Sequence, residues 1–151
     1  MDIKYRYRGQ QGSQAVEFAL ILPFMILIIF CVVDFAIFAF DKAVITNASR
    51  EAARRAVVLT AAAWAPAAIA QVACDYTKNT LITVSAGSRT ATCSGTADPQ
   101  ITVSPNTMPA FGDTVTVNVS YAVNGFSLGS WVSTPLGNAL TLTSSSQMRH
   151  E

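Results

Sequence analysis

Between Phe18 and Phe40 the sequence runs FALILPFMILIIFCVVDFAIFAF, an apolar stretch with one charged residue, Asp34. At about 1.5 Å of rise per residue it covers roughly 35 Å as a helix, enough to cross the ~30 Å hydrocarbon core of a bilayer. Each Leu, Ile, Val or Phe contributes about −0.3 to −0.6 kcal/mol to insertion, and together they outweigh the roughly +3 kcal/mol of Asp34. A single membrane span over about residues 18–40 is therefore expected. A cleaved secretory signal competes with this reading because Lys4, Arg6 and Arg8 precede the core. That core, however, is longer than the usual ~7–15 apolar residues, and no good A-x-A site follows it. Pro23 removes one backbone donor inside the span, so a local bend or loosened turn is expected there.

Composition supports a membrane rather than a nucleic-acid partner. Charged residues make up 13% of the 151-residue chain and the net charge is +1, against about 25% charged in an average soluble domain. The basic residues are split, with Lys4, Arg6 and Arg8 before the span and Lys42, Arg50, Arg54 and Arg55 after it. No polyanion-binding patch results, and the positive-inside rule is left nearly tied. Orientation is read instead from the short segment before the span, which can stay in the cytoplasm, and from the cysteines. Cys31 lies within the span; Cys74 and Cys93 lie beyond it, with 18 residues between them. A disulfide closing that loop contributes roughly 3 kcal/mol in the chain-entropy model and persists in an oxidising compartment. Two free thiols are the alternative.

Before the span, RGQQGSQAVEFAL places Gly12 five residues ahead of Glu17. The spacing resembles the processing site of type IV pilin-like precursors, in which a membrane prepilin peptidase cuts after a glycine and a glutamate stands fifth in the mature chain. On that resemblance cleavage follows Gly12 and makes Ser13 the new N-terminus, whereas Gly9 is excluded because Gln14 occupies its fifth place. A carboxylate at the edge of hydrocarbon is costly unless paired. Glu17, one helical turn from Ser13, is placed to meet the amine of its own or a neighbouring chain. Otherwise it marks the membrane boundary.

After the span comes DKAVITNASREAARRAVVL, in which Ala48, Ala52 and Ala56 recur every fourth residue. Helical continuation is expected, with a small-residue stripe that permits close helix approach and with Glu51 at ion-pairing distance from Arg54 or Arg55. An ordinary solvated, alanine-rich stalk is the plainer reading. The order G-x4-EFAL-x2-P, a span, then SREAARRA, together with the terminal SSSQMRHE, resembles the TadE-like proteins of tight-adherence (Tad, or Flp) pilus systems. The resemblance covers roughly residues 9–60 and the last strand. It implies a minor pilin or pseudopilin in the bacterial inner membrane, N-terminus cytoplasmic and C-terminal domain periplasmic or in the pilus. It also implies partners: other pilin-like subunits, the assembly platform and a prepilin peptidase. A permanently anchored extracytoplasmic binding module is the alternative from a different class.

Pro66 is placed to open a second helix, Ala67 to about Tyr76. Beyond it, Val115, Val117, Val119, Tyr121 and Val123 alternate with polar or small residues, marking Thr114–Val123 as a half-buried strand. Weaker strands are expected at Leu81–Ser85, Ile101–Ser104 and Ala139–Ser145. Phe126 and Trp131, in the loop between the last two strands, are expected to fold back on the core. The predicted fold class is α+β: a long N-terminal membrane helix continuing into a stalk and packed on a small antiparallel sheet of three or four strands, as in the pilin-like lollipop. The expected division is a leader over 1–12, a helix over 13–62 and a strand-rich domain over 63–151.

No catalytic constellation, cofactor motif or metal cluster is readable, and an enzyme is not expected. The single histidine, His150, is next to last, where a mobile chain is expected, and Cys74 and Cys93 lack zinc spacing. Asp34 stands apart. Either it reaches outward toward Asp41 and Lys42, or it pairs with a polar group on a neighbouring helix and fixes register in an assembly. With Glu17, Ala48, Ala52 and Ala56 it completes the set of expected assembly residues.

Overall fold

The computed structural model describes residues 11–59, 63–82, 93, 99–123 and 140–150. The apolar segment and the alanine-rich block after it form one helix, α1 (Gln11–Val57, 47 residues), continuous through Pro23. At ~1.5 Å per residue it is about 70 Å long. Its two halves live in different surroundings. Every described side chain over 14–33 is exposed, whereas from residue 34 onward one face is buried at Asp34, Asp41, Val44, Ile45, Ala48, Ser49, Ala52, Ala53 and Ala56. The spacing of three and four is that of a single helical face.

A second helix, α2 (Pro66–Lys78), begins with Pro66 in the first turn, where a missing N–H costs nothing, and buries Ile69, Ala73, Cys74 and Thr77. It extends two residues beyond the expected end at Tyr76. The Thr77 hydroxyl satisfies itself by donating to the Ala73 carbonyl at 3.0 Å. A disulfide joins Cys74 to Cys93, tying α2 to the chain that leads to the sheet.

The sheet has three antiparallel strands in sequential order, β1 (Gln100–Ser104), β2 (Thr114–Val123) and β3 (Leu140–Arg149). β2 has the bounds its alternation predicts, and Val115, Val117, Val119, Tyr121 and Val123 all face the core. Ile101 and Val103 of β1 oppose Val119 and Val117, so they share that face. β3 runs four residues past the expected Ser145, because pairing with the whole length of β2, from Val123↔Leu140 to Thr114↔Arg149, overrides its polar composition. The expected strand at Leu81–Ser85 has a buried Leu81 and a bend at Ile82; its remainder, like Phe126 and Trp131, lies outside the described residues.

α1 packs on α2, β2 and β3. The inner face of β3 presents Ser144 and Ser146 between Leu142 and Met148, opposite Val119 and Val117 of β2. Small serines on the strand and small alanines on the helix let the two elements approach closely, and Ser49 Oγ lies 3.1 Å from Ser144 Oγ. The alanine stripe is thus filled by the chain's own domain. The expectation that Ala48, Ala52 and Ala56 form an assembly surface is corrected: all three have no exposed surface.

Ala52→Leu is expected to destabilise the domain by about 1–3 kcal/mol through overpacking, whereas Arg54→Ala, on the opposite face of α1, is expected to change stability by no more than about 0.5 kcal/mol. Thermal unfolding of the full chain in detergent measures both.

Candidate functional site

The outstanding surface is α1 itself. Phe18, Leu20, Ile21, Phe24, Ile29 and Val32 are each more than half exposed, and the bare segment 14–33 is about 30 Å long. A helix apolar around its whole circumference is stable only in lipid or among other helices. Its lower end carries the polar residues expected to matter: Gly12, Ser13 and Glu17 lie in the first turns of α1, and Glu17 is exposed at the start of the apolar run. A Cβ built on Gly12 meets nothing within 4 Å. The fold therefore imposes no steric need for glycine at a helical position where alanine is better by about 0.8–1 kcal/mol.

The upper end is where the domain seizes the helix. Asp34 is only 7% exposed and has an interaction partner within the chain. The first buried position among the described side chains of α1 is thus a carboxylate inside the apolar segment, sheltered by the chain's own fold. An internal role is a third arrangement beside the two expected for Asp34, reaching outward and pairing with a neighbouring helix, and charge in hydrocarbon is tolerated where protein covers it. Two turns on, Asp41 is fully buried and its Oδ1 accepts the Ile82 backbone N–H at 3.0 Å. Lys42 Nζ donates to the Thr143 carbonyl on β3. The chain after α2 and strand β3 are therefore both pinned to α1 within two residues of Phe40. No free stalk separates span from domain; the domain grips the outer part of the apolar segment.

Sequence reasoning missed Asp41, which looks like an ordinary boundary acid. Burial at the i, i+3, i+4 positions shared with Val44 and Ile45 was its one legible sign. The arginines behave differently from expectation. Arg50, Glu51, Arg54 and Arg55 are all exposed, and the one salt bridge among the described residues is Lys78–Asp75, so Glu51 pairs with neither Arg54 nor Arg55.

At the far end of the sheet, His150 is buried rather than mobile. Its N–H donates to the Asp113 carbonyl at 2.8 Å and its carbonyl accepts the Gly112 N–H at 2.9 Å. Arg149 Nε donates to the Gly112 carbonyl at 2.8 Å. Gly112 has φ +92°, a conformation that disfavours side chains. The His150 Nδ1 is buried without a hydrogen-bond partner. Two open clefts, about 300 Å³ between α2 and β1 and about 450 Å³ beside Phe111, Gly112, Arg149 and His150, have no acidic side chain among the described residues that line them. Among the described residues no three His, Cys, Asp or Glu gather as a metal-binding group.

These features define a class: an α+β domain mounted directly on one long, lipid-compatible N-terminal helix, in the manner of pilin-like proteins. Residues 12–54 match the family model of TadE-like proteins, the family that the glycine–glutamate junction and the SREAARRA block resemble. No curated protein and no solved structure matches the chain.

Asp41→Leu is expected to cost about 1–3 kcal/mol by removing the acceptor of the part-buried bond from the Ile82 N–H, and Asp41→Asn, which retains an acceptor, to cost less. Chemical denaturation of the two variants in detergent tests the ranking.

Proposed function

We propose that the protein is a TadE-like minor pilin or pseudopilin that acts in assembly of a Tad/Flp-type pilus through α1. The observation that carries this reading is the coincidence of the family match over 12–54 with the bare helix and its two flanking motifs. The family is a pilus-associated, structural one, and the proposed role is accordingly structural rather than catalytic.

In this reading the chain enters the inner membrane with residues 1–12 in the cytoplasm and the disulfide-bonded domain outside. A prepilin peptidase cuts after Gly12. A glycine standing where packing does not require one supports recognition by another protein as its reason. Removal of the leader makes Ser13 the N-terminus and places a new amine one turn from Glu17, where the pair offset each other's cost at the edge of hydrocarbon. The exposed apolar circumference of 14–33 then packs against lipid before assembly and against the helices of homologous subunits within it. With Ala48, Ala52 and Ala56 committed to the domain's own core, assembly contacts fall to Glu17 and this lower segment.

Intact-mass measurement of the protein from cells carrying the cognate peptidase tests the proposal. The expected result is loss of residues 1–12, and a full-length chain from Gly12→Val, a substitution the open surroundings of Gly12 accept. A full-length wild-type chain in those cells would favour the permanently anchored binding module instead.

A further inference from the structure

The SREAARRA block has two faces, and only one of them is used by the fold. Ala48, Ser49, Ala52, Ala53 and Ala56 point into the domain; Arg50, Arg54 and Arg55 point away from it, on the exposed face that also carries Asn47, Glu51 and Val58, three cations to one acid. Three guanidinium groups lie within two helical turns, and none has an acidic partner in the described structure. Arg54 and Arg55 occupy the last turn of α1, where a cation complements the helix dipole. Arg50 stands outside that turn, so dipole complementation leaves it unexplained.

We infer that this arginine face is a docking surface for an acidic segment of a partner protein. Height above the membrane favours protein over lipid headgroups. Arg50 to Arg55 stand about 12 to 20 Å along the helix beyond Lys42, whereas the headgroup layer beyond the hydrocarbon is only about 5 to 8 Å deep on each side. A second copy of this chain is a poor occupant, since its one unengaged outer acid among the described residues, Glu51, sits one turn before Arg54 and Arg55 on the same face, so that two copies would bring faces of like net charge together. Asp75 accepts from Lys78 and Gln71, hydrogen bonds that hold its carboxyl below the usual carboxylate range, and an Asp113 carboxylate oxygen accepts the Ala110 N–H at 3.1 Å. The fitting partner is a different chain with two or more carboxylates at helical spacing. Planar guanidinium groups bind carboxylates bidentately and recur at protein interfaces.

The test places the photo-reactive residue benzoylphenylalanine at Asn47, on the same face, in the full chain in cells that make the cognate machinery. A cross-link to a protein segment containing Asp or Glu is expected. The triple variant R50E/R54E/R55E should lower its yield about tenfold or more through charge repulsion, Arg→Lys at the three positions should largely keep it, and reversing the partner's acids to Arg should restore it to the triple variant. Unchanged thermal unfolding of the triple variant shows that the domain is intact. Cross-linking to lipid alone, to a second copy alone, to nothing, or with a yield indifferent to charge reversal would overturn the inference. The test does not depend on cleavage after Gly12: if the chain stays full length and the charge-swap holds, the arginine face stands while the pilin reading falls.

Discussion

One helix must satisfy two solvents, and the rest of the structure follows from where it changes over. From Phe18 to Val33, α1 is apolar on every side and exposed; from residue 34 on, one face is closed by the sheet and α2. The change occurs inside the apolar segment. A domain attached by a free stalk would leave Asp34 facing hydrocarbon. Docked this low, the fold covers the carboxylate and keeps the span insertable.

That low docking demands close packing between a helix and an edge strand, and the residues supply it with small side chains. Alanines at every fourth position on α1 meet an inner face of β3 in which serines separate Leu142 from Met148. Polar pins hold the arrangement: the Ser49–Ser144 contact, the Lys42–Thr143 bond and the Asp41–Ile82 bond all lie along the same stretch of α1. All three join α1 to residues distant in sequence. They make the orientation of the domain on its anchor specific, which burial of apolar surface alone does not.

The helix thereby acquires a division of labour by face and by height. Its lower circumference suits lipid or neighbouring helices, its upper inner face is the core of its own domain, and its upper outer face carries Arg50, Arg54 and Arg55, without an acidic partner among the described residues. An alanine-rich block with interspersed arginines has the pattern of an ordinary stalk, yet each residue type falls on a different surface. Small residues marked the right helical face in the sequence, but the partner on that face proved to be the chain itself.

Local pattern was enough for the elements whose signal is internal. An apolar run of this length fits a membrane helix. Pro66 marks the start of α2, and strict alternation sets β2 to its end residues. The glycine–glutamate junction and the SREAARRA block likewise carried the family resemblance without any fold. Tertiary structure decided what depends on who sits opposite. It carried β3 through its serines because β2 paired with it, and it buried Asp34 and Asp41 because the domain lands on their side of α1. It also withdrew Ala48, Ala52 and Ala56 from the surface while leaving Arg50, Arg54 and Arg55 on it. Periodicity along a chain records which residues share a face; what covers that face is set by contacts distant in sequence, and those exist only once the chain has folded.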